Sequence, residues 1–114
     1  RALALLAMLY DPAPPRLTCM EEIDHGLHPH VFDRVVELVR EASSKTQFLI
    51  ATHSPAFVNR LRSEELIVCE RDEETGASRI PAIDPCRVRE LEARAGGRLG
   101  LGELWFSGSL GGVP

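Results

Sequence analysis

The chain has 114 residues, 44% of them hydrophobic and 26% charged, which is the make-up of one small globular domain. A net charge of −4 leaves no general nucleic-acid footprint, and no apolar stretch reaches the roughly 20 residues a membrane helix needs. The three cysteines (Cys19, Cys69 and Cys86) are widely spaced and odd in number; they fit neither a disulfide framework nor a zinc pattern, and they suit a reducing, cytoplasmic compartment.

In chain order, Arg1 to Leu9 has helical composition and is too short, with no small-residue cleavage site after it, to be a secretory signal. It starts without Met or a cap, so the sequence reads as part of something longer. Asp11-Pro12 and Pro14-Pro15 break the helix. Leu17 to Met20 suits a short buried strand, and Glu22 to His28 a loop. Pro29 fits the first turn of a helix. From His30 to Ser43, Phe32, Val35, Val36, Val39 and Ala42 recur at helical spacing, with charged residues mostly on the other side. Gln47 to Ala51 is a second short apolar strand. Ser54 as N-cap and Pro55 as first helical residue predict a helix from about Pro55 to Leu61. Leu66 to Glu70 and Ala77 to Ile83 read as two strands around the turn "RDEETG". Asp84-Pro85 opens a helix that stops at Gly96-Gly97, and residues 98–114 form a Gly-rich tail.

Short strands separated by helices predict an α/β fold with a parallel sheet. Ligands of such sheets bind outside the carboxyl ends of the strands. Two polar clusters stand there: Glu21-Glu22 after the first strand and Thr52-His53-Ser54 after the second. If the strands are neighbours, both clusters face one crevice. Paired carboxylates at a strand end suit a nucleotide triphosphatase, one acid holding Mg²⁺ through water and the next accepting a proton from the attacking water. A His on the adjacent strand end can then hydrogen-bond the terminal phosphate. A metal reading competes for "HGLHPH", where His25, His28 and His30 stand close to Glu22 and Asp24. Gly26 and Pro29 interrupt any helix there, so these histidines lack the one-face spacing of helical zinc sites.

"LTCMEEIDHGLHP" followed by "FLIATHSPAFVNRL" resembles the carboxy-terminal half of an ABC-type ATPase domain. The resemblance is to the non-transporter, AAA-type or RecF-like branch that includes the overcoming-lysogenization-defect nucleases and relatives of DNA-repair ATPases. It covers roughly Arg1 to Leu61. It implies that Leu17 to Glu22 is the Walker B strand, with Glu21 on the Mg²⁺-coordinating acid and Glu22 on the catalytic glutamate. Asp24 to His28 resembles the D-loop that meets a partner subunit across bound ATP, which places Asp24 and His25 beside the nucleotide. His53 falls on the switch histidine that contacts the γ-phosphate. Ile23 departs from the Pro that many members carry.

The phosphate loop, G-x-x-x-x-G-K-[ST], is nowhere in these 114 residues, and neither are the glutamine loop and signature. The resemblance therefore implies a partial P-loop NTPase fold: residues 1–97 the C-terminal part of an ATPase domain with an added hairpin and helix, and residues 98–114 a tail. The expected partners are the N-terminal half carrying the phosphate loop, a second copy of the parent through the D-loop, and DNA, with no membrane. The expected cofactors are ATP and Mg²⁺. The parent is expected to hydrolyse ATP in DNA repair or phage defence, and this stretch alone to be inactive. The competing expectation is a non-catalytic α/β interaction domain that has lost nucleotide binding.

Overall fold

In the computed structural model, residues 2–111 are described. The chain divides into two compact units, Arg1–Arg60 and Leu61–Pro114.

The first unit runs α1 (Ala2–Leu9), β1 (Leu17–Glu21), a 3₁₀ turn (Pro29–Val31), α2 (Phe32–Ala42), β2 (Gln47–Ala51) and α3 (Pro55–Val58). Strands β1 and β2 pair in parallel with α2 between them in sequence, as the alternation of elements predicts. The register sets Leu17 opposite Gln47 and Glu21 opposite Ala51. The ladder fixes which side chains share a face. Thr18, Met20, Phe48 and Ile50 lie on the covered side, with Met20 buried. Leu17, Cys19, Glu21, Gln47, Leu49 and Ala51 lie on the other side, and all are exposed. Leu17 is 49% and Leu49 56% accessible. This corrects the expectation of a buried first strand. A parallel sheet is normally covered on both faces, and this one is covered on one.

Helix α2 buries Phe32, Val35, Val36 and Leu38. The helical spacing accounts for the first three; Leu38 widens the buried stripe beyond it. α3 is a single turn and adds Phe57 and Val58 to the core. The Phe32 and Phe57 rings meet edge to face, centroids 5.7 Å apart, a geometry aromatic quadrupoles favour. The Arg60 guanidinium lies 5.6 Å from the Phe32 ring centroid and donates from Nε to Asp33 at 3.2 Å, so one arginine joins the end of α3 to the start of α2.

The second unit holds a 3₁₀ turn (Ser63–Glu65), the two-residue strands β3 (Glu70–Arg71) and β4 (Ser78–Arg79), α4 (Pro85–Ala95) and α5 (Leu101–Phe106). The antiparallel ladder is shorter than the sequence predicts. Only Glu70 with Arg79 and Arg71 with Ser78 pair. Pro81 has no N–H to continue it, although Ala82 still donates to the Val68 carbonyl at 2.7 Å. The connecting turn is organised by Asp72, whose Oδ1 accepts from Glu74 N and Thr75 N at 3.0 and 2.8 Å. These bonds hold its carboxyl below the usual carboxylate range, with Arg79 adding a smaller pull. Asp84 caps α4 through Cys86 N at 2.7 Å. Gly96 closes it in the left-handed region at φ 58°, where a side chain would be strained. α5 falls inside the Gly-rich stretch that sequence composition marks only as a tail; it buries Leu101, Gly102 and Leu104. Val68, Val88 and Leu110 are buried as well.

Candidate nucleotide-facing site

The parallel register brings the ends of β1 and β2 side by side, and the pairing continues one bond past the strands: Glu22 N donates to the Ala51 carbonyl at 2.7 Å. The two predicted polar clusters therefore emerge from adjacent points. Glu21 ends β1 on the exposed face. Glu22 turns the chain sharply. It has φ 47° and is the one non-glycine residue with positive φ among those described. The left-handed region costs an L-residue roughly 1–2 kcal/mol, and such outliers persist where the surroundings over-determine the backbone. The strain breaks the strict up-down alternation of the strand and re-aims the second carboxylate.

The loop then folds on itself. His25 N donates to Glu22 O at 2.9 Å, Leu27 N donates to Asp24 O at 3.1 Å, and Gly26 takes φ 81°. The His25 imidazole Nδ1 lies 3.7 Å from a Glu22 carboxylate oxygen, with both side chains at least half exposed. An exposed pair of this kind is worth at most about 1 kcal/mol.

Asp24 is engaged within the chain. Its Oδ1 accepts from the Thr52 hydroxyl at 2.8 Å, tying the loop after β1 to the loop after β2. Thr52 Oγ1 in turn accepts from Ser54 N at 3.1 Å. His53 sits between them, exposed, and Ser54 caps α3 by accepting from Phe57 N at 3.2 Å. Sequence reasoning placed Thr52 in the cluster without a task; its signal was a hydroxyl at a strand end, where Ser and Thr bridge to local backbone. The positive φ of Glu22 left no trace in sequence, because a Gly or Asn would normally mark it.

Two histidines of "HGLHPH" pair with each other and the third turns elsewhere. His28 Nδ1 accepts from His30 N at 3.3 Å, their rings stack at 4.5 Å, and His25 turns to Glu22. Among the described residues no group of three or more His, Cys, Asp or Glu is arranged to hold a metal ion. A protein-only zinc cage is therefore not formed by these side chains. Magnesium asks for less: one or two carboxylates, with waters and substrate phosphates completing its octahedron. Glu21 and Glu22, adjacent and exposed at a strand end, fit that donor set. No helix among the described residues is long and apolar enough to cross a membrane.

The site is thus a parallel strand pair in an α/β unit, with an acid pair at one strand end and Thr-His-Ser at the next. Residues 1–59, just over half of the chain, match the family described as "AAA domain, putative AbiEii toxin, Type IV TA system", and the chain belongs to that family. No curated protein matches it. One similar solved structure comes from "Structural biochemistry of ATP-driven dimerization and DNA stimulated activation of SMC ATPases". It has a TM-score of 0.49 and 17% identity, covering 76% of this chain and 52% of that one. The chain thus spans about half the length of that structure.

Proposed function

We propose that this chain supplies the acid-and-histidine half of an ATP-hydrolysing site, of the ABC-type, RecF-like or overcoming-lysogenization-defect branch, as the C-terminal part of the ATPase domain. The observation that supports it most is the bond from Glu22 N to Ala51 O, which sets the strained Glu22 beside the strand end that carries His53. In this reading Leu17–Glu21 is the Walker B strand and Glu21 is the Mg²⁺ ligand. Bound there with ATP, Mg²⁺ would neutralise charge on the β- and γ-phosphates. Glu22 accepts the proton of the attacking water. His53 donates a hydrogen bond to the terminal phosphate. Residues 24–28 face a second copy of the protein, and the nucleotide cycle acts on DNA in repair or phage defence; both extensions rest on the family resemblance.

The phosphate cradle must come from sequence outside these 114 residues, because backbone N–H groups and the loop lysine provide most of the phosphate grip. The bare sheet face, with Leu17 and Leu49 uncovered, supports docking of a further half-domain carrying that loop. By itself the chain then offers two carboxylates to a polyanion and binds Mg-ATP very weakly. The experiment is Glu22→Gln in a polypeptide extended to include the phosphate loop. Turnover should fall by at least about a hundredfold, the scale of a lost general base, while ATP binding is retained. Unchanged turnover removes Glu22 from the base role. Loss of both binding and turnover in the wild type would favour the non-catalytic interaction domain instead.

A further inference from the structure

We propose that Thr52 is a positioning residue whose hydroxyl clamps the loop after β1 to the loop after β2, so fixing Glu22 and His53 relative to one another. The functional half of this statement rests on the nucleotide-site reading above; the clamp itself rests on geometry.

The hydrogen bonds can run in only one direction. Ser54 N–H is a donor, so Thr52 Oγ1 accepts there, at 3.1 Å. The single hydroxyl proton is then available to the Asp24 carboxylate, a charge-assisted acceptor at 2.8 Å. The Asp24–Thr52 bond spans 28 residues and is partly buried, and neither residue is exposed. With the bond from Glu22 N to Ala51 O it closes a ring: Glu22, Ile23 and Asp24 on one side, Ala51 and Thr52 on the other. A non-glycine residue at φ 47° persists only when its neighbours leave it no alternative. The ring provides that constraint, pinning the turn at the strained residue's own N–H and again two residues after it. His53 is covalently next to the clamp, so its backbone is fixed by the same bond. The geometry also gives Asp24 an internal task, accepting from the Thr52 hydroxyl.

The test compares Thr52→Val, which keeps the shape and deletes the hydroxyl, with Thr52→Ser, which keeps the hydroxyl, by NMR on the 114-residue chain. In the Val variant, amide exchange at His25, Leu27 and Ser54 should accelerate roughly fivefold to tenfold, the scale of one lost hydrogen bond. The His53 ring-proton signals should shift, the β1–β2 ladder amides should be unchanged, and Ser should restore all of these. If Thr52→Val fails to fold, Asp24→Ala opens the same clamp from the other side and should move the His53 ring signals equally. The proposal is overturned if disturbance stays within residues 52–54, if His53 is indifferent to the loss of Asp24, or if Ser does not restore the signals. These readouts need no ATP, whereas the nucleotide reading stands or falls on Glu22→Gln turnover, so either can fail alone.

Discussion

Glu22 carries two burdens at once, a backbone strain and a carboxylate. The strain makes a stability prediction independent of any activity. Glycine adopts φ 47° freely and alanine does not. Glu22→Gly should therefore be more stable than Glu22→Ala by about 1 kcal/mol in urea unfolding monitored by far-UV circular dichroism. Equal stability of the two would mean that Glu22 is unstrained in solution. The residue chemistry of the site was legible in part. The acid pair, His53 and the Ser54 cap all stand where strand-end reasoning puts them. The turn at Glu22 and the Thr52–Asp24 bond were not legible, because both arise from the tertiary approach of segments 28 residues apart.

At the scale of elements, the sheet and the hairpin make contrasting predictions. Leu49 lies mid-strand but is 56% exposed, whereas Phe57 on the one-turn α3 is 2% exposed. Strand membership alone would rank Leu49 as the more important core residue, and burial reverses that order. Phe57→Ala should cost about 3–5 kcal/mol and Leu49→Lys well under 1 kcal/mol in this chain, measured by denaturant midpoints. Helical spacing located α2, the Ser54-Pro55 and Asp84-Pro85 caps located the starts of α3 and α4, and short apolar runs located both parallel strands, although α3 ends at Val58 rather than about Leu61. Sequence pattern overextended the hairpin, where Pro81 interrupts pairing, and it passed over α5 because Gly100, Gly102 and Gly108 masked a buried Leu101–Leu104 pair. The hairpin turn also has a pH signature. Folding depresses the Asp72 carboxyl, chiefly through the Thr75 backbone N–H. A lowered folded value means that its contribution is complete above the ordinary carboxylate value of 3.8 and disappears as pH falls through the depressed one. Amide exchange at Thr75 should thus be flat from neutral pH to about 4, after correction for intrinsic rates, and lose protection below it. Asp72→Asn should remove that dependence, and persistence of the transition in the variant would assign it to another acid.

For the molecule as a whole, the decisive feature is apolar surface where a parallel α/β sheet normally has a second layer. Leu17, Cys19 and Leu49 lie uncovered on one sheet face, and Leu3 on α1 is 83% exposed. Such patches drive association. Sedimentation of the isolated chain should show concentration-dependent oligomers, and Leu17→Lys with Leu49→Lys should shift it toward monomer without loss of circular dichroism. A strictly monomeric wild type would show that the face needs no cover.

The central claim is that the tips of β1 and β2 serve one terminal phosphate. Mn²⁺, a paramagnetic stand-in for Mg²⁺, reports this most directly when added with ATP to the polypeptide extended to include its phosphate loop. The account predicts line broadening of amides 21–25 and 52–54 together, at the same Mn-ATP concentration. Broadening confined to one of those segments, or centred elsewhere in the chain, would contradict it.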